Sequence, residues 1–370
     1  MKRNGAVLMM AAVLLLAVIV GGIVGIRDGG REVDLFNPAN FAQRQALPLA
    51  ADTPHGKTSV HYIEVINDTL YDRAPFSYRE MYAAQWIVEE LLAMGFAWDE
   101  IRVQEFVYED VREFWDLPLM DIIFGVDQSP FLDWGTRNSR LSQNVILTLP
   151  GQSDKKMVVG AHYDSVFYPG ASDNASGVAL LLESAWRMRD IDHYYTIVYI
   201  FFGAEEAGLY GAYYYAHALT QEEHDNILFM INADVLLEGP DLFYMAGYDA
   251  GDTPGANHIT ETWDEIARNM DVWHGITLTP LPDGVFGPSD QLAFLPWGHT
   301  AMFLVGFDAV AGWYDTGAPI MTLLEAARVV HTPMDDFHFI EETWPGKIEA
   351  NMRGFSLFLE ELLLAKYYVD

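Results

Sequence analysis

His162, Asp173, Glu205, Glu206, Asp234 and His331 supply two imidazoles and four carboxylates in the C-terminal two thirds of the chain. Each is read as following an apolar, strand-like run. Zinc takes His, Asp and Glu ligands, and the chain holds no cysteine to offer instead. Five of these side chains match the needs of two zinc ions, and a sixth is left as a general base. The charges then balance: two zinc ions against Asp173, Glu206, Asp234 and one bridging hydroxide. Two neighbouring cations acidify a shared water, and a spare carboxylate can pass its proton to a leaving amine. That chemistry is hydrolysis of an amide.

Taken singly, the residues are ambiguous. Val158-Val159-Gly160-Ala161-His162-Tyr163-Asp164 runs a strand into a polar turn, where a histidine is as often structural as ligating. Asp164 is placed to accept the other imidazole N–H and fix its tautomer. Asp173, in Gly170-Ala171-Ser172-Asp173-Asn174-Ala175-Ser176-Gly177, reads equally as a helix N-cap. In its functional reading the carboxylate bridges two cations, and the glycines let backbone approach closely. Glu205-Glu206 would complement a helix dipole, yet consecutive helical side chains diverge by about 100°, so one can face metal and the other substrate. Asp234 ends the run Ile231-Asn232-Ala233 and is a turn residue or a ligand. Asp335 or Asp336 is a candidate support for His331, and Asp290 for the site as a whole.

The elements that would position them alternate. Apolar runs at 145–149, 157–161, 196–203, 227–233, 242–246 and 301–305 read as strands. Helices are expected over 76–94, 175–188, 209–219, 259–270 and 344–364, with a further β-rich stretch at 103–107. Buried strands separated by helices imply an α/β fold: a mostly parallel mixed sheet between helices, with ligands at the strand carboxyl ends. The aromatic segments 112–135 and 272–297 are expected to shape a specificity pocket.

The 53 acidic residues outnumber 21 Lys and Arg, for a formal charge of −32. Such a surface repels phosphate backbones, which argues against a nucleic-acid partner. Residues 1–27 read as a signal anchor. Lys2 and Arg3 precede an apolar stretch, Ala6–Ile26, which as a helix is roughly 31 Å long and spans a bilayer core. Basic residues before it place the remainder outside the cytoplasm as a single-pass membrane protein. Secretion after signal cleavage is the alternative. Residues 28–58 read as a linker and 59–370 as the catalytic domain.

At these residues the chain resembles the zinc aminopeptidases of metallopeptidase clan MH, peptidase family M28. Relatives there include glutaminyl cyclases, glutamate carboxypeptidases and transferrin-receptor-like proteins. The resemblance rests on His162-x-Asp164, Ser172-Asp173-Asn174-x-Ser176-Gly177, Glu205-Glu206, Asn232-x-Asp234 and His331-Thr332, in order and spacing. It implies a zinc-peptidase/phosphorylase-like fold and a peptide or protein N-terminus as substrate. It also implies Glu205 as base and acid, Asp173 as bridge, and a cis Asp173–Asn174 peptide. Zinc is expected on His162 with Glu206 and on Asp234 with His331. The short His162-to-Asp173 spacing leaves no room for a protease-associated insertion. Two positions depart from the pattern. Val330 stands where many members carry an oxyanion-binding Tyr, and Ser289-Asp290-Gln291 replaces Ser-Asp-His. A single-zinc glutaminyl cyclase-like acyltransferase and a non-catalytic ectodomain are the rival readings.

Overall fold

A computed structural model describes residues 52–107, 141–166, 168–248, 257–281, 289–307, 329–366 and 368. The expected anchor, most of the expected linker and the aromatic segment 112–135 lie outside this range. Among the described residues no helix is long and apolar enough to cross a membrane.

Alternation along the strands decides the architecture. In β2 (Leu141–Leu149), Val145, Leu147 and Leu149 enter one core while Ile146 enters another. In β3 (Ser153–His162), Met157, Val159 and Ala161 oppose Val158. In β4 (Tyr195–Phe202), Ile197, Tyr199 and Phe201 oppose Val198, Ile200 and Phe202. In β5 (Ile227–Ala233), Phe229, Ile231 and Ala233 oppose Met230. Successive side chains point to opposite faces, so strands apolar on both faces must be covered on both. One face carries α1 (Lys57–Thr69), α2 (Tyr78–Ala93), α3 (Ser176–Met188), and, further along the chain, α6 (His258–His274) and α8 (Lys347–Leu364). The other is covered by α4 (Tyr210–Ala218) and the short turn of helix at Asp290–Ala293; α5 (Gln221–Asp225) leads into β5.

With β1 (Ile101–Val107), β6 (Asp241–Tyr248), β7 (Leu278–Pro280) and β8 (Thr300–Phe307), the sheet has eight strands in the order β1-β2-β4-β3-β5-β8-β6-β7. The centre, β4-β3-β5-β8, is parallel. The flanks make it the mixed sheet expected: β1 pairs antiparallel with β2, β2 with β4, and β6 with β8, while β6 and β7 are parallel, so most pairs are parallel. Two-sided burial looks alike in parallel and antiparallel strands, so apolar runs alone could not distinguish them.

Two helices depart from expectation. The helix expected over 344–364 is α8, which begins after Gly346, whose φ of 77° favours glycine; the short α7 (Phe337–Thr343) before it was not expected. Helix α1 was not anticipated and starts inside the expected linker. Its N-terminus has no cap from its own N-cap residue. Buried Glu183 on α3 supplies one instead, accepting from Gly56 N at 2.8 Å, Ser59 N at 2.7 Å and Ser59 Oγ at 2.7 Å. A carboxylate facing free N–H groups at a helix start is favoured by charge and by hydrogen bonding. The same carboxylate accepts from Ser356 Oγ, which ties α8 to the pair.

Candidate metal centre

β3, the strand at the middle of the parallel centre, ends at His162, and β4 and β5 flank it. The turns leaving these three strands therefore converge. Buried His162 points Nε2 at Asp173 Oδ1, 3.1 Å away, and at Asp234 Oδ1, 3.2 Å away. The second oxygen of Asp173 lies 3.0 Å from His331 Nε2, which is also 3.0 Å from Glu206 Oε2. Three groups of metal-binding side chains come together among the described residues: His162–Asp173–Asp234 and Asp173–Glu206–His331, which share Asp173, and His162–Glu205–Glu206. The expected pairing of histidines and carboxylates is thereby corrected: Asp234 accompanies His162, and Glu206 accompanies His331.

Asp173 does not follow a strand. It sits in an irregular turn, Ala171–Ala175, before α3, and its peptide bond to Asn174 is cis. Asn174 closes that turn, accepting from Gly177 N and donating to Ala233 O at the end of β5. A Cβ on Gly177 would fall 2.3 Å from Ala233 O, and one on Gly170 would fall 2.1 Å from Asp173 O. Only glycine allows these approaches.

Glu205 and Glu206 lie in a turn before α4, not on the helix as expected, so helical divergence does not separate their side chains. Asp164 holds that turn by accepting from Glu205 N at 3.1 Å and Glu206 N at 3.0 Å. Its distance to His162 Nδ1 is 3.6 Å, too long for the expected hydrogen bond. Asp335 likewise serves another element than expected. It accepts from Ser172 N at 2.6 Å and Asp173 N at 3.1 Å, anchoring the Asp173 turn and not His331. Ser289 Oγ donates to Asp234 Oδ2 at 2.7 Å and is itself held by Asn232 Nδ2. The neighbouring Asp290 is fully buried, and neither of its carboxylate oxygens has a partner among the described residues.

Three buried charged residues that sequence reasoning missed complete the frame. Glu80 on α2 accepts from Ala204 N at 2.8 Å, holding Ala204 at φ 54° just before Glu205. Glu238 accepts from Val329 N and Val330 N at 2.9 and 3.1 Å, just before His331. Val330 itself is buried and its N–H is taken, so this position supplies no oxyanion donor. Arg73 donates to Tyr163 O and Pro169 O. The only available signal was Glu80 in the capping pattern Ser77-x-x-Glu80; Arg73 and Glu238 stand in no recognisable pattern.

The electrostatics are those of a site short of positive charge. Glu206, and to a lesser extent Asp173, raise His331 to about 12, against the pull of burial. Burial and the Asp173 charge push Glu206 up to about 7. Burial raises Glu205 well above the carboxylate range; His162 opposes this, and Glu206, Asp290 and Asp234 reinforce it. Asp290 is raised by burial and by Asp234 and Asp164, again against His162. The buried Oε1 of Glu206 has no partner among the described residues. Desolvated, mutually repelling carboxylates around two imidazoles fit divalent cations and little else.

Residues 144–356 match the family described as Peptidase family M28. Aminopeptidase YwaD of Bacillus subtilis is 37% identical over 189 residues, which is 48% of this chain and 39% of that protein. The chain thus spans about two fifths of that relative's length. Among solved structures, a zinc aminopeptidase from Bacillus subtilis superposes with a TM-score of 0.62 at 17% identity, covering 85% of this chain and 97% of the other. A glutaminyl cyclase from an Acidobacteriales bacterium gives 0.58 at 17% identity, covering 87% and 99%. At such identities these two likenesses establish the fold alone.

Proposed function

The chain belongs to peptidase family M28, and on that premise we propose that it is a di-zinc aminopeptidase that removes N-terminal residues from peptides. The observation that carries the reading is Asp173, whose two oxygens face two separate histidines at 3.1 and 3.0 Å. A carboxylate so placed would be shared by two cations. His162, Asp234 and Asp173 would hold one ion, and His331, Glu206 and Asp173 the other. When bound, the ions would polarise the scissile carbonyl and acidify water at neutral pH.

The remaining work falls to Glu205. Its backbone is fixed by Asp164, and its carboxylate lies in one cluster with His162 and Glu206. It is partly exposed, so it can meet substrate. Glu205 takes a proton from the attacking water and returns it to the departing amine. The surrounding acidic side chains would attract the cationic N-terminus of a peptide, which favours an exopeptidase. The apolar stretch Ala6–Ile26 supports a single membrane anchor with this domain outside the cytoplasm. A mature chain starting near Ile26 would contradict the anchor.

The glutaminyl cyclase likeness supports a second reading, a single-zinc acyltransferase. The two ligand groups that share Asp173 favour the peptidase. The test is turnover of an aminoacyl-anilide by protein stripped with a chelator and then reloaded. We expect activity to vanish on stripping and to return as zinc approaches two per chain. Full activity at one zinc per chain, or activity that survives stripping, would overturn the reading.

A further inference from the structure

The turn from Tyr71 to Glu80 lies outside the residues matched by the family, 144–356, yet it touches all three ligand turns leaving β3 and β4. Arg73 is 1% exposed. Its Nε donates to Tyr163 O at 2.6 Å, and Nη1 donates to Pro169 O at 2.6 Å. Tyr163 follows the ligand His162, and Pro169 and Gly170 lead into the Asp173 turn. Arg73 N and O also bond reciprocally with Ser165 between them. One planar guanidinium therefore spans both edges of the loop that separates two ligands.

An arginine is a costly residue to bury where its near partners are carbonyls and not carboxylates. Burial lowers it to about 10, while Asp164, Asp335 and Asp173 pull the other way. Those three are the bridging ligand and the two carboxylates that hold ligand turns. Core packing does not explain such a residue, because an apolar side chain would fill the volume more cheaply. The fork geometry does explain it, since donors fixed in one plane set the spacing of two carbonyls. A few residues on, Glu80 does the corresponding work under Ala204 and accepts from Phe76 N and Ser142 Oγ as well.

We propose that Arg73 is the positioning residue that fixes His162 relative to Asp173, with Glu80 fixing Glu205–Glu206, so that the 71–80 turn belongs to the catalytic machinery. This rests on the di-zinc reading above. The experiment uses the full chain and the variants Arg73→Met and Glu80→Gln. It measures zinc Kd by chelator competition, the melting temperature of metal-free protein, and kcat and KM on a leucyl anilide.

Arg73→Met fills the volume without donors. We expect the metal-free variant to fold but melt lower, because the carbonyls of Tyr163 and Pro169 lose their donors, and its zinc Kd to rise about 10–100-fold, the range for losing a ligand's outer partner. Glu80→Gln should keep its zinc and lose kcat about tenfold or more at nearly constant KM, as misplacement of a reacting group does. A folded Arg73→Met with wild-type zinc Kd overturns the proposal. If Arg73→Met does not fold, Glu80→Gln decides alone, and wild-type kcat in that variant overturns it. Weakened zinc binding in Arg73→Met, with no peptidase activity in wild type, would sink the activity reading and leave the positioning role standing.

Discussion

Glu205→Gln should abolish turnover while leaving zinc in place. The substitution keeps the shape of the side chain and the backbone N–H that Asp164 accepts. None of the contacts His162–Asp173, His162–Asp234, His331–Asp173 or His331–Glu206 involves Glu205. What is lost is the proton acceptor, and general-base catalysis is worth roughly 10²–10⁴-fold in kcat. A stability change of definite sign accompanies the loss. Desolvation and the charges of Glu206, Asp290 and Asp234 raise Glu205 in the folded state. A carboxyl group raised on folding destabilises the protein once pH exceeds its unfolded pKa, because the unfolded chain releases that proton more readily. Metal-free Glu205→Gln should therefore melt higher than metal-free wild type at neutral pH. Zinc-loaded Glu205→Gln that retains wild-type kcat would remove Glu205 from the mechanism.

Asp173→Ala should have the second largest effect, and on metal rather than on turnover alone. Asp173 contributes one oxygen to each ligand group, so its loss leaves His162 with Asp234 and His331 with Glu206. Neither remaining pair makes a closed zinc site, which normally draws three or more protein ligands. Both zinc affinities should fall by more than the ~10–100-fold seen when only an outer partner is lost. Removal of Asp234 should weaken chiefly the group built on His162. Metal analysis after dialysis distinguishes the two variants. A zinc count of two in Asp173→Ala would show that Asp173 is not shared.

Much of this arrangement was legible because burial leaves a simple trace. The run 197–202 is apolar throughout because β4 is buried on both faces, and His162, Glu205, Glu206 and Asp234 stand out as charges where such runs end. What the sequence could not convey is which turn meets which. The partner of His162 depends on how the turns after β4 and β5 fold back over the end of β3, and these are separated by whole helices. Arg73, Glu80 and Glu238 were missed for the same reason: their partners in the ligand turns lie 90 or more residues away. The function of Asp164 changed because a carboxylate beside a histidine can equally take backbone N–H groups from the next strand's turn. Helix α1 escaped notice because a distant carboxylate, Glu183, caps it.

The most direct test of the central claim is product analysis by mass spectrometry. Zinc-loaded protein is incubated with two peptides that differ only in their first residue, leucine or glutamine. The di-zinc aminopeptidase account predicts a product one residue shorter from the leucine peptide and no loss of ammonia from the glutamine peptide. Loss of ammonia from the glutamine peptide, with the leucine peptide left intact, would contradict it.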